Sequence, residues 1–161
     1  MTHRLIARLT ILLPLALLAG CAVHFIAPYD STLDNSMTQV QQDSELFFAQ
    51  LQDAQGTDAA SYDSTKAYYL RTEATLHTLL TRAQSVPKSD RVAAQISSIE
   101  KTVERIQSMH SRDKFLNAAN LTGDQAALES EFRSFFTLEL ALKSHFGGPP
   151  NAAMAPTVKG F

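Results

Sequence analysis

The chain has 161 residues, 45% of them apolar, a formal charge of −2 and a single cysteine. One thiol excludes a disulfide framework. With 14 basic against 16 acidic residues and no basic stripe, the electrostatic footprint of a nucleic-acid binder is excluded as well.

Residues 1–20 have three parts. His3, Arg4 and Arg8 make a basic start, Leu9 to Leu18 an apolar run interrupted by Pro14, and Ala19-Gly20 a small-residue exit. That is the layout of a cleaved secretory signal, and the run is shorter than the about 20 residues a retained spanning helix takes. The exit reads Leu18-Ala19-Gly20-Cys21, which resembles the lipobox of bacterial lipoproteins. The resemblance implies cleavage between Gly20 and Cys21, a thioether-linked diacylglycerol and an N-acyl chain (palmitate, for example) on Cys21, and no other cofactor. The plainer alternative is an ordinary signal followed by an incidental cysteine. One acyl chain holds a protein only marginally, whereas two or more hold it stably. Residue 22 is Ala rather than the Asp that retains many such proteins in the inner membrane. The resemblance therefore implies the outer membrane, facing the periplasm.

Loss of the signal removes Arg4 and Arg8, so 12 basic residues face 16 acidic ones and the charge becomes −4. Cys21 is the only cysteine, so the body has neither a disulfide nor a thiol nucleophile and relies on packing. About 140 residues suffice for one domain with its own core. Residues 21–29 read as a lipidated tether, with Phe25 and Ile26 expected to dock on the end of the body rather than rest at the lipid interface.

Residues 30–146 carry apolar side chains at spacings of three and four, the mark of helices with one buried stripe. The first helix is expected from Asp30 to Ala54, with Asp30 or Ser31 as N-cap and Leu33, Met37, Val40, Ser44, Phe47 and Leu51 on its inner face. The second spans Asp58 to Ser85, ahead of Pro87, with Tyr62, Thr65, Tyr69, Thr72, Leu76, Leu79 and Ala83 inward. The third starts at Ser89 or Asp90 and has the cleanest stripe: Val92, Ile96, Ile99, Val103 and Ile106. For the fourth, Thr122-Gly123-Asp124-Gln125 matches a capping box, followed by Leu128, Phe132, Phe135, Leu142 and Phe146. The apolar stretch between Ser111 and Leu121 predicts a separate short helical turn. Short connections make neighbours antiparallel, so the expected fold is all-α, an up-down four-helix bundle. Gly147-Gly148-Pro149-Pro150 stops the last helix, and residues 147–161 read as a disordered tail. Tyr29-Asp30, the Tyr62/Tyr69 helix and the Phe-Phe-x-Leu-Glu-Leu segment at Phe135 to Leu140 also resemble small helical lipoproteins of proteobacteria. That resemblance brings no function with it.

Bundles often house metals, but no Glu-x-x-His occurs. Glu73 and His77 lie four apart, which fits a metal pair or a surface ion pair. A non-covalent haem would draw on Met37, Met109, His77 and His110, although a Met in a stripe is ordinarily core filler. No Gly-x-Ser-x-Gly elbow occurs, and Glu129 and Glu131 read as solvated. No enzyme is expected.

Glu139 keeps the rhythm of Phe132, Phe135 and Leu142 and so points at the core. There it needs a partner or a proton: Arg71, Lys66, Arg112 or a tyrosine hydroxyl. Either it is a structural polar contact, with Leu138 as an alternative core residue, or it contacts a ligand in a polar half of the bundle shared with Tyr62 and Tyr69. Leu121-Thr122-Gly123-Asp124-Gln125 matches one Leu-Thr-x-x-Gln element of certain periplasmic stress chaperones, in residues that helix capping also selects. The expected function is a membrane-anchored, non-catalytic binding or structural module with an envelope protein as partner. A chaperone-like or envelope-stress protein and a metal- or haem-binding bundle are the alternatives.

Overall fold

The computed structural model describes residues 27–145. The expected signal segment, Cys21 and most of the expected tether, Phe146 and residues 147–161, expected as a tail, lie outside the described residues.

Four helices follow one another: α1 (Ser31–Asp53), α2 (Tyr62–Gln84), α3 (Asp90–Asp113) and α4 (Ala118–His145). Each packs on its neighbours in sequence, and α4 closes back on α1. This is the antiparallel four-helix bundle expected from the stripes. The α2–α3 interface is the most extensive, as the β-branched ridge of Val92, Ile96, Ile99, Val103 and Ile106 predicts, every member of which is buried. At 1.5 Å per residue the helices are roughly 35–42 Å long. Among the described residues, no helix is long and apolar enough to cross a membrane.

Local chemistry sets the boundaries. The Asp30 carboxylate caps α1 by accepting the Thr32 N–H at 2.9 Å, and Gly56 (φ +79°) turns the chain after α1. Here the expected second helix divides. Asp58–Ala60 is a single 3-10 turn, Ser61 is extended, and α2 starts at Tyr62 with the Ser61 hydroxyl as its cap. The Tyr62 N–H then donates to the Lys114 carbonyl at 3.0 Å, fastening the start of α2 to the end of α3. After α2, the buried Ser89 hydroxyl donates back to the Ala83 carbonyl and holds the turn through Pro87.

The Thr122 capping box does not form. α4 begins four residues earlier, at Ala118, with the Asn117 side chain accepting the Asn120 N–H at 2.9 Å. Thr122 is inside the helix, its hydroxyl donating to the Ala118 carbonyl. Leu121 is almost wholly buried, and the extra turn of helix is what carries it inward. The separate turn expected between Ser111 and Leu121 is likewise absent. That stretch is divided between the end of α3 and the start of α4, with Lys114 left-handed (φ +63°) at the corner.

Gly123 lies in mid-helix with open space where a Cβ would stand, whereas Gly56 holds a positive φ. Gly123→Ala is expected to raise stability by roughly 0.5–1 kcal/mol, and Gly56→Ala to lower it by about 1 kcal/mol. Urea unfolding followed by circular dichroism measures both. A loss at position 123 would restore the capping box.

Candidate functional site

The bundle has two polar ends of different character. Where α2 begins and α3 ends, the core is aromatic. The Tyr68 ring stacks on Phe47 with centroids 3.8 Å apart. Its hydroxyl donates to the Ser44 hydroxyl at 2.8 Å, and Ser44 in turn donates to the Val40 carbonyl. Ser44, the one polar member of the first stripe, is thereby satisfied. Tyr62 and Tyr69 are brought together there, ring centroids 6.0 Å apart, and both lie against His110.

His110 is fully buried, and its partners decide its tautomer. The Ala60 carbonyl, 3.0 Å from Nε2, can only accept, so Nε2 carries the proton. Nδ1 then accepts from the Tyr69 hydroxyl at 3.0 Å. Neutral imidazole satisfies both bonds, and burial holds its pKa below the ordinary histidine value. His110 therefore ties α3 to α2 and to the 3-10 turn. Nearby, Asp124 accepts from Arg105 Nη1 at 2.9 Å, while its buried Oδ2 has no partner among the described residues.

At the opposite end, where α1 begins and α4 ends, lies Glu139. It is 2% exposed and takes the core position, with Leu138 only half-buried. Its Oε2 is buried without a partner among the described residues. Burial, then the negative charges of Asp34 and Asp30, push its pKa up to about 7. Asp30 is held by Arg82 at 2.7 and 3.1 Å, which lowers its pKa. Tyr29 donates to Asp34 at 2.6 Å, lies beneath the Lys143 ammonium, and has its pKa pushed up to about 12 by burial and that bond. The last residues of the expected tether, Ala27 and Tyr29, thus belong to the packed body.

Glu139 and the tyrosine pair are therefore not one site. α2 and α4 run in the same direction, with Tyr62 and Tyr69 near the start of one and Glu139 near the end of the other. Tyr69 packs level with Phe47 and Glu139 near Asp34. Thirteen residues of α1 separate those levels, roughly 20 Å. Two of the cations considered as partners for Glu139 are engaged locally, Lys66 with Asp63 and Arg112 with Asp113. Glu131, read as solvated, is half-buried and accepts from Thr102 at 2.8 Å.

The other chemical candidates resolve into separate contacts. His77 lies 3.8 Å from Glu100 across the α2–α3 face. Burial and the neighbouring Glu104 and Glu100 raise the pKa of Glu73. Among the described residues, no three His, Cys, Asp or Glu side chains are placed to hold a metal ion. In the Leu-Thr-x-x-Gln element, Leu121 is core, and Gln125 bonds Gln52 across to α1 and Glu129 along α4. No family model, curated protein or solved structure matches the chain.

Glu139 binds its proton more tightly folded than unfolded, so its contribution to stability is present below about pH 4.5 and is lost as pH rises through about 7. His110 has the opposite sign: its contribution is present above about pH 6.5 and is lost as pH falls through its depressed folded pKa. Glu139→Gln is expected to stabilise the protein by about 1–3 kcal/mol near pH 8 and to have little effect near pH 4. The remaining acid-side loss of stability then belongs to His110 and the other carboxylates. Unfolding midpoints across pH test this; an unchanged Glu139→Gln midpoint near pH 8 would remove the unpaired carboxylate from the account.

Proposed function

We propose that this chain is a lipid-anchored, non-catalytic module of the bacterial cell envelope, held by acyl chains on Cys21 and presenting its helical bundle to an envelope protein. The observation that carries this reading is Leu18-Ala19-Gly20-Cys21 at the end of a basic-then-apolar segment. Two acyl groups provide durable attachment without a spanning helix, and Ala22 in place of Asp favours the periplasmic face of the outer membrane.

The body supports a binding role over a catalytic one. Its buried hydroxyls and imidazole are used to join helices: Tyr68 with Ser44, and Tyr69 with His110 and through it Ala60. A catalytic group needs a partner arrangement directed at a substrate, and these groups are directed at the fold. For binding, exposed apolar side chains stand on several faces: Leu46, Leu70, Phe115 and Leu140. Leu140 shares a cleft of about 570 Å³ between α1 and α4 with Phe136 and Arg133.

Replacing Cys21 with Ala tests the anchor. The variant is expected to lose all incorporation of labelled fatty acid and to accumulate as unprocessed precursor in the inner membrane. Normal processing and membrane retention of Cys21→Ala would overturn the reading. Cross-linking in intact envelopes is expected to trap one specific protein; aggregation suppression of many unfolded clients would favour the chaperone-like alternative.

A further inference from the structure

Residues 27–30, which lead into α1, form a strap of irregular backbone at the Glu139 end of the bundle. Ala27 is 4% exposed and shares a cleft with Val92, Leu138 and Leu142, so it packs on the stretch of α4 that carries Glu139. Tyr29 and Asp30 lie close enough to Glu139 for their charges to interact. Three side-chain contacts hold the strap: Tyr29 with Asp34, the Lys143 ammonium 5.1 Å from the centre of the Tyr29 ring, and Asp30 with Arg82. Pro28 has no N–H to donate, and among the described residues no N–H of the strap bonds to backbone.

The charges that act on Glu139 are those of Asp34 on α1 and Asp30 on the strap, both negative. From α2, Arg82 reaches this end but is bound to Asp30. From α3, Asp90 and Arg91 line the cleft, with Lys88 just ahead of that helix. On α4 itself, Lys143 lies over Tyr29 and His145 ends the helix; Lys88 and His145 have contacts of their own. The Oε2 of Glu139 is buried without a partner among the described residues. A protonated Glu139 tolerates this enclosure, whereas an ionised one needs water. Lifting the strap admits that water at the least cost, since moving α1 or α4 would uncover Leu33, Met37 and Phe135 as well.

We propose that residues 27–30 are a proton-controlled strap, closed over the end of the bundle while Glu139 is neutral and released when Glu139 ionises. Release uncovers Val92, Leu138 and Leu142. Where Cys21 is anchored, the four freed residues lengthen the tether by about 13 Å, but the strap operates whether or not Cys21 carries lipid. The sign follows from the pKa of Glu139, about 7 with the strap closed against an ordinary 4.5. Opening gains up to about tenfold per pH unit between those two values and levels off above them.

The test places a thiol on the strap, Ala27→Cys, in the full chain, with and without Glu139→Gln. A pyridyl disulfide, which reacts over a wide pH range, reports how often position 27 is exposed, and peptide masses separate that label from any at Cys21. Comparing the two backgrounds at the same pH cancels the pH dependence of the thiol. The labelling rate with Glu139 present, divided by the rate with Glu139→Gln, is expected to climb at least tenfold between pH 5 and pH 8. Glu139→Leu serves as a second uncharged background should glutamine disturb the packing. Lifting four residues exposes little surface, so the rate at pH 8 should barely respond to low urea. A ratio that stays flat with pH would overturn the strap. So would labelling that rises with urea as steeply as global unfolding, because exposure would then come from loss of the whole bundle.

Discussion

The described residues 27–145 contain no cysteine, so no disulfide can reinforce the bundle. Cohesion must therefore come from burying four apolar stripes against one another. That constraint explains the regularity of the interior. Met37, Leu76, Ile96, Ile99, Val103, Leu128, Phe132 and Phe135 are all at most 1% exposed. Each such side chain gains about 1.5–3 kcal/mol by leaving water, against a backbone cost of about 1–2 kcal/mol per ordered residue. The margin is narrow, and it explains why polar groups enter the core only on terms.

Those terms differ between the two ends. At the aromatic end the buried hydroxyls and the imidazole are paired with one another, and among the described residues Asp124 alone keeps an unpartnered buried oxygen there. Tyr68, Ser44, Tyr69 and His110 form bonds that join α1, α2, α3 and the 3-10 turn. At the other end Glu139 keeps an unsatisfied oxygen next to two acidic neighbours, a cost that packing around it must offset. This is also the end at which the chain enters the body, through Ala27 and Tyr29.

Much of this was legible in the residues because the helical period leaves little choice. Val92 to Ile106 and Phe132 to Leu142 could bury their apolar members only as helices, and Glu139 falls inward on the same count. Three features were harder to read. Asn117 outcompeted Thr122 as the start of α4 because only an earlier start buries Leu121, a tertiary gain that a local capping pattern does not register. His110 continues the α3 stripe one step beyond Ile106 at helical spacing, and that continuation was the signal for its burial. Tyr68 is flanked by Tyr69, so periodicity alone did not show that both rings turn inward. The distance between Glu139 and the tyrosines follows from topology: in an up-down bundle, the start of the second helix and the end of the fourth lie at opposite ends.

The proposed attachment through Cys21 is addressed most directly by the intact mass and N-terminal sequence of the protein purified from its native membrane. The account predicts a mature chain beginning at Cys21 and heavier than its amino acids by a diacylglycerol and an N-linked acyl group. A mature chain that begins elsewhere, or an unmodified cysteine at its start, would contradict it.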